Sequence, residues 1–322
     1  MGNSKVNNIY DNINQELFQR ADFQKGEGEK IGYSNYSYWK STFKIFISKK
    51  STIFIISILV ILLTVSIIQP YLPNQKDPIK VNINAETGRQ DINQRPSKEY
   101  WLGTNSIGQD LWARIWTGTR TSLFIGIVVG IFQAAFGILI GALWGYVRGL
   151  DKIITEIYNV LNNIPSTIIM VLMSYILRPG LSTIIIAMCV TEWLPMARFV
   201  RNQIIIIRDR EYNLASRCLG TPTTRMIFKN LLPYLISVIM LRLAMAIPSA
   251  IGYEVFLTYI GLGLPVSLPS LGNLINDGRG IIMSPALRYQ LVYPSIVLSI
   301  ITISFYILGN TFADAADPKN HV

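Results

Sequence analysis

Three ionisable residues, Glu192, Arg242 and Glu254, lie within or beside stretches that are otherwise apolar. A charge inside hydrocarbon is costly, so an ionisable residue in a membrane span is kept mainly where it lines a substrate or ion path. Glu192 and Arg242 could instead satisfy each other, or backbone groups, inside a helix bundle. The sequence therefore indicates three candidates for a translocation path and leaves an internal pairing open as the alternative.

The residue types that catalysis requires are sparse. His321 is the only histidine, and Cys189 and Cys218 are the only cysteines, so a Ser/His/Asp triad, a Cys/His dyad or a histidine-based zinc site is not expected. The chain also has no Gly-Lys pair, so the P-loop that cradles phosphates is absent. We predict no catalytic residue, no metal and no cofactor in this chain, and any energy from ATP must come from another chain.

The elements that carry these residues are long apolar runs. Half of the 322 residues are hydrophobic and only 15% are charged, whereas soluble domains carry about 25% charged residues. Six runs are long enough for the roughly 20 residues that a membrane-crossing helix needs. Four of them hold no charge (51–75, 121–147, 157–177 and 289–313), and two hold one charge each (179–197 and 230–253). The predicted fold is an all-α integral membrane protein with six transmembrane helices.

The distribution of Lys and Arg predicts the orientation of these spans. With the N-terminus inside, the cytoplasmic segments 1–50, 148–156, 198–229 and 314–322 hold 18 of the 29 basic residues, the outer loops hold ten, and Arg242 lies within a span. Short basic loops stay on the cytoplasmic side, so both termini are predicted to be cytoplasmic. The net charge of +10 is explained by basic loops facing anionic lipid, and it requires no nucleic-acid partner.

The chain is expected to be organised around a helical core. Its predicted parts are a flexible N-terminal tail (1–35), an interfacial helix (36–50), a first span (51–70), an outer loop (71–120), a core with five spans (121–313) and a C-terminal tail (314–322). The core includes a polar loop at 208–233 and an outer loop at 255–288. Residues 110–116 are predicted to form a short surface helix with Leu111, Ile115 and Trp116 toward lipid, and Trp193 and Pro195 are expected to end or kink the fourth span.

The polar segment 211–233 reads EYNLASRCLGTPTTRMIFKNLLP. Its Gly-Thr-Pro sequence, which ends one helix and starts another, predicts two short helices that meet at an angle. Gly220 suits the left-handed position after a helix, Thr221 is predicted to cap the next helix, and Pro222 fits its first turn. An elbow of this kind offers an apolar ridge to a partner. The alternative is a helical connector that lies on the membrane surface.

Each half of this elbow is predicted to have an apolar face. Leu214, Ala215 and Cys218 share one face of the first helix, with Arg210 and Arg217 along its border. In the second helix the apolar face is formed by Met226, Ile227 and Leu231, and the exposed cations are Arg225 and Lys229.

The same segment resembles the cytoplasmic signature loop of ABC-importer permeases. Ala215, Gly220, Leu232 and Pro233 match that pattern, whereas the family usually has Glu, Ala and His at the positions of Leu214, Ser216 and Asn230. Glu211, one turn before Leu214, is expected to replace part of the missing acid. Three more stretches resemble the second permease subunit of oligopeptide and dipeptide importers: LGTNSIGQDL at 102–111, EVFLTYIGLGLP with PSLGNLI at 254–265 and 269–275, and ADAADPK at 313–319.

The resemblance implies a type I ABC importer permease fold and a subunit without chemistry of its own. Its implied partners are a homologous second permease, two ABC ATPases that bind ATP-Mg, an extracytoplasmic peptide-binding protein and the bilayer of a bacterial cell membrane. The implied substrate is an oligopeptide, with a dipeptide or chelated nickel as the alternative; a channel or secondary transporter is the alternative class. The residues implied to dock the ATPase are Glu211, Leu214, Ala215, Arg217, Cys218, Gly220, Thr221, Pro222, Arg225 and Lys229. Glu254 matches a family Glu and is expected near the outer mouth of the path.

Overall fold

The computed structural model describes residues 38–84 and 88–317. The predicted tail 1–35, the end of the predicted tail 314–322 and His321 lie outside the described residues. Within the described ranges, the regular secondary structure is helical apart from two isolated β-bridges, Ile83 with Gln90 and Thr104 with Asp110. The helices are α1 (Tyr38–Ser48), α2 (Lys50–Ile68), α3 (Leu111–Tyr146), α4 (Arg148–Asn162), α5 (Ser166–Leu177), α6 (Leu181–Arg208), α7 (Glu211–Cys218), α8 (Thr223–Arg225), α9 (Ile236–Tyr259), α10 (Leu271–Arg279) and α11 (Tyr289–Ala315).

Five helical segments are long and apolar enough to cross a membrane: Lys50–Tyr71, Leu111–Tyr146, Leu181–Arg208, Thr223–Tyr259 and Tyr289–Ala315. The helices α4 and α5 make a sixth if they are taken together, but they are bent by 71°. The prediction of one continuous span over 157–177 is therefore wrong. Pro165, which precedes α5, has no N–H and disfavours helical backbone at Ile164, so α4 ends at Asn162.

The helix α3 corrects a second prediction. Residues 110–116 do not form a separate surface helix, because α3 begins at Leu111 and continues for 36 residues. Asp110 caps it by accepting a hydrogen bond from the Ala113 N–H at 2.8 Å. Leu111 and Ile115 are each 1% exposed and pack with Leu274 of α10. These side chains therefore face protein and not lipid.

The core is built by close packing of α3 against α6. Gly137, Gly141 and Gly145 recur at every fourth position of α3 and face α6. A Cβ atom at Gly141 would lie 2.9 Å from the Ala197 Cα atom, so only glycine permits this approach. Small residues at this spacing let helices of membrane proteins approach closely. The helix α6 runs through Pro195 to Arg208, so the span does not end at Trp193 or Pro195. A kink at these residues, the other half of that prediction, stays a prediction.

The segment between α2 and α3 packs on one end of this bundle. The Tyr289 hydroxyl at the start of α11 donates to the carbonyl oxygens of Gln94 (2.7 Å) and Thr104 (2.9 Å). The Trp112 indole N–H donates to Gln75 Oε1 at 3.1 Å. Segments 69–84, 88–110 and 260–288, the last of which includes α10, therefore share one end of the bundle. Residues 209–235 lie at the other end with the C-terminal ends of α3 and α6.

Candidate docking elbow and intramembrane polar groups

The first half of the elbow ends in a glycine turn, as predicted. Gly220 has φ +78°. Its N–H bonds to the Arg217 carbonyl (2.9 Å), and the Thr221 N–H bonds to the Ser216 carbonyl (3.2 Å). These two bonds define a Schellman motif, which satisfies the last carbonyl groups of α7 and turns the chain sharply. The bend of the elbow is thus set by backbone hydrogen bonds and one left-handed residue.

The predicted cap of the second half is wrong. Pro222, with extended backbone, stands at the N-cap of α8, and no side chain caps this helix. Thr221 instead donates its backbone N–H to the Schellman motif that ends α7. After α8 the chain forms a π-helical turn over Met226–Leu231 and a 3₁₀ turn over Pro233–Leu235. Pro233 has no N–H to donate, which explains why the regular α-helical pattern is interrupted before α9.

The two halves of the elbow differ in which apolar side chains they expose. In α7, Leu214, Ala215 and Cys218 are exposed, while the fully buried Asn213 donates to the Ile207 carbonyl at 2.8 Å and anchors the helix. The exposed face of α7 thus agrees with the predicted ridge.

The second half does not present the predicted face. Met226, Ile227 and Leu231 are at most 2% exposed. Ile227 and Leu231 pack with Ile204 of α6 inside the chain's own core. Two exposed apolar residues were missed: Leu219, which follows α7 at the tip of the elbow and is 87% exposed, and Phe228 in the second half, which is 53% exposed. We define Leu214, Leu219 and Phe228 as the elbow ridge.

Charges around the elbow fall into an internal and an external group. Asp209 lies 3.4 Å from Arg148, 3.2 Å from Arg208 and 3.6 Å from Arg217. Arg217 thus has an acidic partner in its own chain, and its side chain is 40% exposed. Glu211, Arg225 and Lys229 are exposed, and none of them forms an ion pair within the part of the chain that the structure describes.

Glu254 is fully buried, so it does not line an open path at this position. Its carboxylate accepts hydrogen bonds from the hydroxyl groups of Ser270 (2.7 Å), Thr258 (3.1 Å) and Ser122 (3.3 Å) and from the Gly272 N–H. These donors belong to α3, α9 and the start of α10. The prediction of a path-lining role for Glu254 is thus replaced by a structural one, because the carboxylate joins three elements.

The start of α10 is built closely around this carboxylate. The Ser270 hydroxyl also caps α10 by accepting from the Asn273 N–H (3.0 Å), and the Ser122 hydroxyl accepts from the Leu271 N–H (3.1 Å). A Cβ atom at Gly272 would lie 2.6 Å from Glu254 Oε1. The glycines and prolines between 261 and 272 therefore shape a turn that brings the N-terminus of α10 onto Glu254. We call Ser122, Glu254, Thr258, Ser270 and Gly272 the Glu254 knot.

Glu192 lies in a different environment. It is 9% exposed and lines a cavity of about 230 Å³ beside the α4–α5 bend. Asn162, Ser166, Thr191 and Tyr253 contribute polar groups to the same cavity. Of the three residues singled out in the apolar stretches, Glu192 is the one that the structure places against an internal polar space.

Arg242 does not pair with Glu192. Its guanidinium lies 4.8 Å from the centre of the Phe199 ring, and its side chain is exposed on α9. Among the described residues, the ion pairs do not include one between Arg242 and Glu192. The internal pairing left open by the sequence is therefore wrong, and the two residues act separately. The described ranges also contain no group of three or more His, Cys, Asp or Glu side chains that could hold a metal ion.

Comparison with known proteins decides the family. Residues 137–322 match the model of the binding-protein-dependent transport system inner membrane component. The chain is 38% identical over 312 residues to the oligopeptide transport system permease protein AmiD of Streptococcus pneumoniae, covering 96% of this chain and 99% of the relative. The chain belongs to this permease family. It is also 34% identical to the oligopeptide permease protein OppC of Bacillus subtilis (96% and 98% covered) and 33% identical to the dipeptide permease protein DppC of the same species (96% and 95% covered).

The fold of this permease has a solved counterpart. A structure of the MetNI methionine ABC transporter in an inward-facing conformation matches it with a TM-score of 0.51 and 22% identity, covering 63% of this chain and 96% of the solved chain. This likeness supports the type I importer permease fold. The chain is thus a multi-pass membrane protein, and the channel and secondary-transporter alternatives are not favoured.

The structure also explains the 102–111 segment of this permease. Asn105 Oδ1 accepts from the backbone N–H groups of Ile107 (3.1 Å) and Gln109 (2.8 Å), and Gly108 takes φ +81° between them. This turn places Asp110 at the N-cap of α3. The family-like segment is therefore a capping structure for the longest helix of the bundle.

Proposed function

We propose that this permease forms one half of the translocation pore of an ATP-driven peptide importer. Full-length similarity to a permease named for oligopeptide transport is the observation that supports this most strongly. In this proposal a second, homologous permease completes the pore, two ABC ATPases bind ATP-Mg below it, and an extracytoplasmic binding protein delivers the peptide. The substrate is an oligopeptide; similarity to a dipeptide permease at 33% identity keeps dipeptides as the second candidate.

The elbow ridge is the proposed contact with an ATPase. Leu214, Leu219 and Phe228 are exposed apolar residues at one end of the bundle, and the Schellman motif at Gly220 fixes their relative placement. Glu211, Arg225 and Lys229 are exposed close to them in sequence and can contact charged groups at the rim of a groove. Ala215, Arg217, Cys218, Thr221 and Pro222 form the rest of the predicted docking surface, and the contact of Arg217 with Asp209 links this surface to the end of α6.

This contact is tested by co-purification of the ATPases with the permease. Replacing Leu219 or Phe228 by Arg should abolish recovery of the ATPases, because a charge would be buried in an apolar groove. The matched control is Met283→Arg, since Met283 is 90% exposed at the opposite end of the bundle. Equal recovery of the ATPases from Leu219→Arg, Phe228→Arg and Met283→Arg would overturn the docking proposal.

We propose further that the elbow end faces the cytoplasm of a bacterial cell and that both termini lie on that side. The excess of basic residues in the segments at this end supports the orientation. Cys218 is an exposed free thiol in the elbow, so in a Cys189→Ser background a membrane-impermeant maleimide should label inside-out vesicles and not right-side-out vesicles. The reverse pattern would contradict the orientation.

Transport itself is tested with the assembled complex in vesicles. Labelled peptides of different lengths are offered together with the binding protein, and ATP-dependent accumulation is measured. We expect accumulation of oligopeptides, and a preference for dipeptides would favour the second candidate. ATP-dependent accumulation of neither class would refute the peptide importer.

A further inference from the structure

The cavity around Glu192 is a polar site at mid-span. Glu192 is the twelfth residue of the 28-residue helix α6, so it lies well away from both ends of this span. The hydroxyl groups of Tyr253 and Ser166 hydrogen-bond to each other, and Thr191 and Asn162 add further polar groups. A carboxylate and several hydroxyl groups therefore face one space inside a segment that is otherwise apolar.

Glu192 has no cationic partner within the described residues. The arginines on its own helix are held elsewhere, because Arg198 donates to the Tyr158 hydroxyl at 3.1 Å and Arg201 binds Asp151 at 2.7 Å. Arg242 of α9 lies over Phe199. A carboxylate in a membrane span is normally paired or faces a water-filled path. Glu192 is thus available to a positively charged group that comes from outside the chain.

The site has a second space beside it. A depression of about 390 Å³ is lined by Thr167, Ser249, Gly252, Tyr253 and Phe256, and Tyr253 belongs to both spaces. The space at Glu192, about 230 Å³, is larger than the roughly 10–15 Å³ that an ordered water needs. It is smaller than the roughly 300–1,000 Å³ of pockets that enclose a whole small molecule. Its size therefore suits one end of an extended ligand.

We infer that Glu192 binds the protonated α-amino group of the transported peptide, with the hydroxyl groups of Ser166 and Tyr253 beside it. This inference rests on the peptide-importer function proposed above. An ammonium group has three donors and no acceptor, so a carboxylate surrounded by hydroxyl oxygens is a suitable receptor. The α-amino group is common to peptides of different sequence, and a site that binds it recognises the backbone end without selecting side chains.

The test uses the complete permease–ATPase complex in detergent, without the binding protein, so that the selectivity of that protein does not enter. Binding of a fluorescent tripeptide with a free N-terminus is compared with binding of the same tripeptide after N-acetylation. We expect the wild-type complex to prefer the free peptide, and Glu192→Gln to weaken its binding about tenfold, since a charge-assisted hydrogen bond is lost. Binding of the acetylated peptide should not change. The control is Glu156→Gln, which alters an exposed acid on α4 outside the cavity.

Three outcomes would overturn the inference: no preference of the wild type for the free peptide, an equal loss for both peptides in Glu192→Gln, or loss of subunit assembly in that variant. The last outcome would assign Glu192 to assembly of the complex instead of to peptide binding. Vesicle uptake by the wild-type complex is measured in parallel. If the complex takes up peptide but Glu192→Gln does not selectively weaken binding of the free tripeptide, this inference alone is refuted. Absence of ATP-dependent peptide uptake refutes the proposed function.

Discussion

Replacing Glu254 by alanine should release the N-terminus of α10 from the bundle. The substitution removes the acceptor for three hydroxyl groups and one backbone N–H. The Thr258 hydroxyl can return to a carbonyl oxygen of its own helix, so three donors lose their partner: the Ser122 and Ser270 hydroxyls and the Gly272 N–H. The Ser270 hydroxyl and the Gly272 N–H hold α10 to α9, and the Ser122 hydroxyl, which also accepts from the Leu271 N–H of α10, links α3 to both helices. The position of α10 is therefore the quantity that should change.

The expected cost follows from the number of lost bonds. Hydrogen bonds between helices of membrane proteins contribute about 0.6 kcal/mol on average, and bonds to a charged group contribute about 1.5 kcal/mol or more. Three bonds therefore correspond to a loss of about 2 to about 4.5 kcal/mol. At the lower bound, the fraction of molecules with α10 detached should rise about 30-fold.

Limited proteolysis with trypsin measures this detachment. Arg279 stands in the last turn of α10, with its guanidinium 4.0 Å from the centre of the Tyr259 ring. Cleavage after Arg279 requires α10 to leave the bundle, so the initial rate of this cut should rise about 30-fold or more in Glu254→Ala when opening is fast compared with cleavage. Glu254→Gln keeps the shape and one acceptor oxygen and should have a smaller effect. Cleavage of Glu254→Ala at the wild-type rate would refute the structural role of the knot.

The same knot can be perturbed from the side of α10. A methyl group at Gly272 would lie within 3 Å of the Glu254 carboxylate, so Gly272→Ala should also accelerate the cut after Arg279. Gly149→Ala is the matched control, because an added Cβ there has no atom within 4 Å and the bond that trypsin cuts stays unchanged. A similar cleavage rate in both alanine variants would mean that the packing around Gly272 can adapt.

Three further predictions concern the elbow, α9 and the start of α3. Gly220→Pro, which cannot adopt φ +78°, should insert into the membrane normally but lose the ATPases on co-purification; undiminished recovery would argue against a fixed bend. Arg242→Gln should slow peptide uptake with normal complex assembly if Arg242 faces the path, and unchanged uptake would leave its contact with Phe199 as its role. Burial raises the pKa of the Asp110 carboxyl, so its contribution to stability is present at low pH and is lost as the pH rises through the raised value. Asp110→Asn, which still caps α3, should flatten this part of the pH dependence of thermal unfolding; an unchanged profile would contradict the assignment.

The sequence predicted local structure well where backbone conformation or backbone hydrogen bonding determines that structure. The Gly220 turn follows from a conformation that other residues avoid, and the long helices follow from apolar runs that must satisfy their own backbone hydrogen bonds in lipid. The spacing of Gly137, Gly141 and Gly145 is likewise a sequence signal for close helix packing. The break between α4 and α5 could be predicted in the same way as the Gly220 turn, because Pro165 restricts the local backbone conformation.

The direction in which each apolar face points could not be read in the same way. Leu111, Ile115, Met226 and Leu231 were assigned to lipid or to a partner, and the structure buries all four inside the chain. In a soluble protein the exposed face of a helix is polar, so periodicity identifies the buried side. In a membrane protein lipid is as apolar as the core, and both sides of a helix look alike in sequence.

The sequence by itself therefore determined the class of the protein: a helical membrane permease with a sharply bent polar elbow. The tertiary structure decided what its buried charges do. Glu254 and Glu192 look equivalent as isolated acids in apolar stretches, yet one is surrounded by four donors of its own chain and the other faces a polar cavity. That difference depends on side chains up to 132 residues apart in sequence, which only the packing of α3, α9 and α10 brings together.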